Sequence, residues 1–589
     1  MTCFHLKTTP KEGIILLVSL ICLAPAILQA QEKSPPDPAN FTVLSQSQVV
    51  AADNPTASAV GAAILEQGGS AADAGVATLL TLGVVHPFAS GLGGGGFCLY
   101  RDAKTQKVQA LDFRETAPGK ADRDMYIRKG KADSSLSRYG GLAVATPGEP
   151  AGLYALHQAH GTLEWADVVD PVYHLAKDGF YVGQLLPKRL ESKRKRIELL
   201  PEFNAAFSSA KQSDEYVKAF ELLKRPDLAE SLKLYRDKGP TPFYSGEIAE
   251  AIVKSAQQSG GVLSMDDLKN YKVSWRTPLE GTYRKDYQIY GMPSPSSGGI
   301  VTLEVLNILE GFDLRKLGYG VQSVHLIIEA MKHAFADRAR WMGDADFVKV
   351  PVKHLISKDY AETRRKKIKT DGVLGLKEYG THAPPKDDDG TTHISIIDKD
   401  GNMLACTSTV NTSFGSLVYV PKWGIILNNE MDDFSAQPGV PNAFGLIGNE
   451  QNAIAPNKKP LSSMSPTLIL HKGKPFMVTG GSGGPTIITG VIMSILRVID
   501  FAQSPAEAIV SPRLHHQWMP EKLFFEGTKD GTLEKELEQL GHTISVRSSY
   551  NSVQIVVVDE NGTITGVSDP RKMGRPASSS PTHTKEDSP

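Results

Sequence analysis

The sequence predicts an α+β fold in which two antiparallel sheets are stacked face to face and flanked by layers of helix. Three observations carry this expectation. Turn signals at Asp400-Gly401, Lys472-Gly473 and Asn561-Gly562 follow or join the short β-rich runs Ile394 to Ile397, Thr467 to Leu470 and Val553 to Val558, which is the pattern of hairpins. Apolar residues recur at helical spacing from Gly298 to Leu309 and from Val321 to Met342, as expected of helices packed by one face on a sheet. A small-residue pattern from Asn54 toward Val85 places another helix layer ahead of the strands.

The chain has 589 residues, a formal net charge of -1 and 41% hydrophobic residues, so core-forming material is ample. Length alone suggests about three or four domains. No basic surplus marks a nucleic-acid partner. The clusters Lys193-Arg194-Lys195-Arg196 and Arg364-Arg365-Lys366-Lys367 read as solvated helix faces, since acidic residues elsewhere compensate for them. Lys7 and Lys11 precede an apolar run from Ile14 to Leu28, with Ala30 before Gln31; residues 1–30 thus read as a secretory signal, with an uncleaved anchor as the alternative. Removal of that segment takes Cys3 and Cys22 with it. Cys98 and Cys406 remain, and they define no disulfide framework, although export would permit one.

The first helix is expected to start at Pro55 with Asn54 as its cap and to stop at Gly68-Gly69. Ser70-Ala71-Ala72-Asp73 reads as a capping box that opens a second, more apolar helix. Gly91 to Gly96 fits a dinucleotide fingerprint in letters only, because a helix precedes it and a strand comes after it, the reverse of the order phosphate binding needs. The run is expected instead to permit a close backbone approach beneath the active site. Residues 120 to 290 read as scaffold, with exposed helices at Lys188 to Leu200 and Asp214 to Leu223. His325 and His333 ride on a helix and read as packing residues. His515 and His516 are adjacent in an extended stretch, so they point opposite ways, and no acidic or thiol partner stands at ligand spacing. No metal and no cofactor is expected.

One peptide bond stands out. Pro384 to Asp389 form a polar loop, and from Thr392 the pattern turns β-rich, so a hydroxyl residue, Thr391, sits where a flexible segment enters a sheet. Gly390 would let its carbonyl be presented to the Thr391 hydroxyl in a conformation closed to other residues. Attack there, followed by an N-to-O acyl shift and ester hydrolysis, cuts the chain and frees Thr391 as an N-terminus. Its own α-amine, ordinarily titrating at about 7.7 to 8.0, then serves as base for its hydroxyl. On Gly-Thr-Thr alone, an ordinary loop-to-strand junction is the better description.

The chain beyond Thr391 resembles the small subunit of γ-glutamyltranspeptidases. The resemblance rests on Asp398 to Asn402, Thr407 to Ser416, Asn428 to Phe434, Pro460 to Thr467 and Gly480 to Gly484. It extends upstream through Phe113 to Pro118 and Ser296 to Gly299, and downstream through Arg513 to Trp518 and Ser568 to Pro570. It implies the four-layer αββα sandwich of N-terminal-nucleophile hydrolases, with both products of the cut in one interwoven domain. It also implies roles. Thr391 is the nucleophile, Thr409 its hydrogen-bonding partner, and the Gly483 and Gly484 amides, at a helix start before Pro485, donate to the oxyanion. Arg114 with Ser462 and Ser463 grips the substrate α-carboxylate, a task suited to a guanidinium fork. Asn411, Glu430 and Asp433 hold the α-ammonium, which needs acceptors and negative charge. Glu430 stands where bacterial relatives often carry Gln. Phe444, in the lid segment Pro438 to Asn449, stands where the family often has Tyr and lacks the hydroxyl that would latch the lid.

The resulting organisation is a signal at 1–30, a large subunit at 31–390 and a small subunit at 391–589, with a disordered tail from about 575. The expected activity is γ-glutamyl transfer and glutathione hydrolysis in the periplasm or outside the cell, with water, an amino acid or a peptide as acceptor and no nucleic-acid partner. A same-fold acylase acting on glutaryl β-lactams or poly-γ-glutamate is the nearest alternative. An exported binding protein that never cuts itself is the alternative from another class.

Overall fold

In the computed structural model the described residues are 37–579, except 213, 383–389, 436, 439–448, 528–530 and 548–550. The expected signal, Asp387 to Asp389 and Phe444 lie outside them.

Period-two alternation builds the layers. In β2 (Val49–Ala52), Val49 and Ala51 join one hydrophobic cluster while Val50 and Ala52 join another. β3 (Gly95–Arg101) repeats this, with Phe97 and Leu99 on one side and Cys98 and Tyr100 on the other. Both strands are therefore buried on two faces, which is the condition of an inner layer. With β4 (Val108–Phe113), β5 (Ser274–Arg276), β8 (Gly390–Ile397) and β9 (Met403–Asn411) they form a six-stranded antiparallel sheet in the order β2-β8-β9-β3-β4-β5. A seven-stranded sheet packs on its inner face. Its strands are β1 (Thr42–Ser45), β6 (Leu279–Tyr283), β7 (Tyr287–Gly291), β10 (Thr467–His471), β11 (Lys474–Ser482), β12 (Ser552–Val558) and β13 (Ile564–Val567), in the order β1-β13-β12-β11-β10-β7-β6.

Helices cover the outer faces. α1 (Pro55–Glu66), α2 (Ala71–Val85) and α3 (Glu149–His160) share the core on the outside of the six-stranded sheet. α4 (Gly298–Leu309), α5 (Val321–Trp341) and α6 (Thr486–Ile499) share the core of the seven-stranded one. This is the αββα sandwich the sequence predicts. Asn54 caps α1 by accepting from Thr56 N at 2.8 Å, and Ser70 with Asp73 forms a reciprocal capping box on α2. The three hairpin signals hold: Gly401, Gly473 and Gly562 all adopt positive φ, at 82°, 78° and 83°.

Some expectations fail. The first expected surface helix runs from Leu185 to Ile197, but Asp214 to Leu223 is not helical. Its amides bond across the chain, Val217 N to Phe207 O at 2.9 Å, and Phe220 holds a φ of 68° that a helix cannot contain. The tail is ordered further than expected, because Ala577 forms a two-way backbone bridge with Val50. Cys98 and Cys406 face each other across β3 and β9 and form a disulfide, a pairing the spacing of four cysteines did not disclose.

Candidate active site

Gly390 and Thr391 open β8 at a break in the ladder. Thr391 pairs with Thr409 of β9, Gly390 pairs with Asn411, and the register shifts between them. Gly390 is required here for space and not for a left-handed conformation: a Cβ on it would stand 2.4 Å from the carbonyl oxygen of Thr412. The Thr409 hydroxyl donates to the Gly390 carbonyl at 2.7 Å and accepts from Asn411 N at 2.8 Å. A hydroxyl has one proton to give, so at its 3.1 Å contact with Thr391 Oγ1 the Thr391 hydroxyl is the donor. One side chain therefore polarises a carbonyl and receives the proton side of the neighbouring hydroxyl. All of this is buried.

The other face of β8 carries residues the sequence did not single out. β2 pairs with β8 only from Ile394 to Ile397, leaving Thr391 and Thr392 without ladder partners on that side. Lys572 Nζ donates to the Thr391 carbonyl at 2.6 Å, and the Asp53 carboxylate accepts from Thr392 Oγ1 at 2.9 Å. Asp53 also accepts from Ser552 Oγ, Gln554 Nε2 and Ser482 Oγ at 2.7, 2.6 and 3.5 Å. Ser482 ends β11, so Gly483 comes directly after a hydrogen bond to this carboxylate. Gly483 and Gly484 take φ of 123° and 58°, and their carbonyls accept from Thr486 Oγ1 and Ile487 N at the start of α6.

Arg114, at the end of β4, is fully buried and gathers the acidic residues. It bonds to Glu430 and to Asp433, the latter at 2.5 Å, and stands 3.7 Å from Glu115. Three carboxyl groups surround one guanidinium, and an ammonium placed among them would favour their ionised forms. Burial pushes Glu430 and Asp433 above the ordinary carboxylate range, and Arg114 works against that shift. Glu115 is pushed up by burial to about 8, again opposed by Arg114. A 3-10 turn, Glu430–Asp433, presents both acids and is fixed by Asn428, whose amide bonds Gly93 O and Ala145 O at 2.8 and 2.9 Å. Asn411 sits beside this turn at φ 74°, its Nδ2 on Asn429 O at 2.8 Å. Its Oδ1 has no partner among the described residues, nor has Oε2 of Glu430.

Ser462 and Ser463 lie on the loop whose Pro460 carbonyl accepts from Arg114 Nε at 3.4 Å. A second buried guanidinium, Arg338 of α5, stands behind them. It donates to Ser463 Oγ and Ser297 Oγ, both at 2.8 Å. Ser297 gives its own proton to the Ser462 carbonyl at 2.7 Å, whereas Ser463, accepting from the cation, keeps a proton to donate. Arg338 lies within a helical run that reads as core, and nothing in its spacing signals this role. Asp53 and Lys572 likewise sit just past the ends of readable elements.

A family model described as Gamma-glutamyltranspeptidase matches residues 57–579. The chain belongs to the γ-glutamyltranspeptidase family. A glutathione hydrolase proenzyme of Escherichia coli (strain K12) is 43% identical over 535 residues, 90% of this chain and 91% of its own. A cephalosporin acylase from Bacillus halodurans is similar in structure, with a TM-score of 0.81 and 27% identity over 92% of this chain and 97% of its own. A Helicobacter pylori gamma-glutamyltranspeptidase structure gives 0.53 at 40% identity, over 55% of this chain and 91% of its own. Transpeptidase and acylase share the architecture, so in this γ-glutamyltranspeptidase family member the site, and not the fold, discriminates between acyl groups.

His325, His515, His516 and His542 make hydrogen bonds within the fold. His515 bonds Thr489 Oγ1 at 3.0 Å, and His516 accepts from Trp518 N at 3.0 Å. His325, Glu329 and His542 are close enough to share a cation. They are already committed: His325 Nδ1 to His542 Nε2 at 2.8 Å, and Glu329 to Lys332 and Tyr379 at 2.8 and 2.5 Å. A cavity of about 800 Å³ lined by Phe220, Leu223, Arg225 and Tyr419 contains none of the candidate site residues.

Proposed function

We propose that the chain cuts itself between Gly390 and Thr391, and that the freed Thr391 is the nucleophile of a γ-glutamyltransferase and glutathione hydrolase. The observation that carries this is the Thr409 hydroxyl, shared between the Gly390 carbonyl at 2.7 Å and Thr391 Oγ1 at 3.1 Å. In the cut, Thr391 Oγ bonds to the Gly390 carbonyl carbon, the C–N bond breaks, and the hydroxyl proton passes to the nitrogen. Water then hydrolyses the ester, leaving 31–390 and 391–589 as the two subunits.

In turnover, the Thr391 amine takes the hydroxyl proton as Oγ attacks the γ-amide carbonyl, and delivers it to the departing amine. The Gly483 and Gly484 amides stabilise the oxyanion, each such donor being worth about 3 kcal/mol. Arg114, Ser462 and Ser463 take the α-carboxylate, while Asn411, Glu430 and Asp433 take the α-ammonium. Water, or the amine of an amino acid or peptide, accepts the acyl group. The amino-terminal apolar segment supports export, to the periplasm or outside the cell.

The likeness to a cephalosporin acylase supports a second reading, an acylase for glutaryl groups. A glutaryl group has no α-ammonium, so the unpartnered oxygens of Asn411 and Glu430 favour the γ-glutamyl reading. Rates on γ-glutamyl and glutaryl anilides separate the two, and a preference for glutaryl would reverse the assignment. The cut is read on a denaturing gel with reductant, because the Cys98–Cys406 bond joins the two fragments. Two bands are expected, the smaller beginning at Thr391, and one band for Thr391→Ala. A single reduced band for wild type, with ligand binding untouched in Thr391→Ala, would establish the non-cleaving binding protein, and full activity from an uncut chain would overturn the proposal.

A further inference from the structure

Lys572 and Asp53 form a pair outside the groups proposed to hold substrate, and it stands against the residue proposed as nucleophile. Lys572 Nζ is 2.6 Å from the Thr391 carbonyl oxygen and 3.4 Å from Asp53 Oδ2, with Lys572 only 15% exposed and Asp53 wholly buried. We infer that Lys572, held by Asp53, is a positioning residue that keeps the freed α-amine of Thr391 in its neutral, proton-accepting form. This rests on the reading that Thr391 becomes a chain end.

The effect is electrostatic. Filling the empty ladder position beside Thr391 needs only a neutral donor, such as a backbone amide or a glutamine. A cation does more. Bond lengths put a residue's carbonyl oxygen about 3 Å from its own nitrogen, so the ammonium stands within about 6 Å of the amine. A like charge at that range disfavours protonation. Asp53 opposes the effect, but its two oxygens are engaged by Thr392, Ser552 and Gln554, which disperse its charge. The two histidines nearby carry no charge at neutral pH. His393 of β8 is pushed down by burial to about 3, and His86 by burial and then by Lys572 itself, also to about 3. Arg571 is turned away onto Glu526 and Asp569. On the substrate side stands the Arg114, Glu115, Glu430 and Asp433 cluster, whose carboxyl groups burial pushes toward their neutral forms. Lys572 is thus the cation hydrogen-bonded to Thr391 at this end of β8.

The test is the pH profile of kcat/KM on a γ-glutamyl anilide for mature wild type, Lys572→Met and Lys572→Arg. Lys572→Met is expected to move the acid limb up by about one unit, with the high-pH plateau within about threefold of wild type, and Lys572→Arg to restore the limb. An unmoved limb in Lys572→Met, whatever its plateau, overturns the inference. A measurement on wild type covers the case where Lys572→Met stays uncut. Acetylation of the Thr391 amine by acetic anhydride, followed by mass spectrometry of the smaller fragment, should be half-complete about one unit below the ordinary 7.7 to 8.0. Labelling at or above the ordinary value also overturns it. A smaller fragment that does not begin at Thr391 removes the proposed function and this inference together, whereas a Thr391 terminus with an unmoved limb removes the inference alone.

Discussion

Arg114→Lys should raise KM for γ-glutamyl substrates by at least about tenfold while lowering kcat less, because an ammonium is a point charge that cannot span Glu430, Asp433 and a substrate carboxylate as a fork does. Initial rates over a range of anilide concentrations give both constants, and an unchanged KM would place the carboxylate elsewhere. Thr409→Val keeps the β-branched shape in β9 but loses the bond to the Gly390 carbonyl; self-cleavage of the precursor should slow by about 10- to 100-fold, with Thr409→Ser near wild type. Time courses on reduced gels decide it. At this scale the sequence was partly legible. Thr391 stood out at a junction of polar loop and β-rich strand, whereas Thr409, Asn411, Glu430 and Asp433 were marked only by the family resemblance of Thr407 to Ser416 and Asn428 to Phe434. Arg338, Asp53 and Lys572 were not legible, because each is one charged residue whose meaning comes from the groups that lie across a layer from it.

Among the elements, β8 is the most exacting in its geometry. Gly390→Ala places a methyl carbon against the Thr412 carbonyl at 2.4 Å, so β8 must shift before its first pair can form. The precursor should fold, since the ladder from Thr392 onward is untouched, yet remain largely uncut after hours in which wild type is fully processed. Rapid processing of that variant would show that the register break is unrelated to the cut. Ser70→Ala removes one half of the α2 capping box and should cost about 1 kcal/mol, read as a lower urea midpoint with unchanged specific activity. Caps and hairpins were readable because Asn, Ser, Asp and Gly act through their own backbone, with no distant partner. The stretch from Asp214 to Leu223 misled for the converse reason: its amides are satisfied by Phe207 and its neighbours, and only the folded chain brings those close.

The molecule as a whole should respond to pH through its buried acids. Glu149, at the start of α3 and bonded to Ser408 Oγ at 2.8 Å, is pushed up by burial from 4.5 to about 8. Between those values the folded chain holds a proton that the unfolded chain has released. Its stabilising contribution is therefore complete below about 4.5 and is lost as pH rises toward 8. Glu149→Gln, which keeps an acceptor for Ser408, should flatten the fall of Tm from pH 5 to pH 8; an identical slope in the variant would mean that Glu149 is charged throughout. The αββα layering was readable because alternation and helical periodicity are local. That Cys98 and Cys406 would meet was not, since it depends on β3 lying next to β9. Chain ends are usually the loosest part of a protein and the first to be nibbled. Here the end proposed to arise at Thr391 is inlaid in the middle of a sheet, pinned by β9 along one edge and by a lysine on the other, with β2 taking over from Ile394. An exopeptidase would find nothing to grasp, so the residue proposed as nucleophile is also shielded from trimming, and prolonged incubation with an aminopeptidase should leave activity intact.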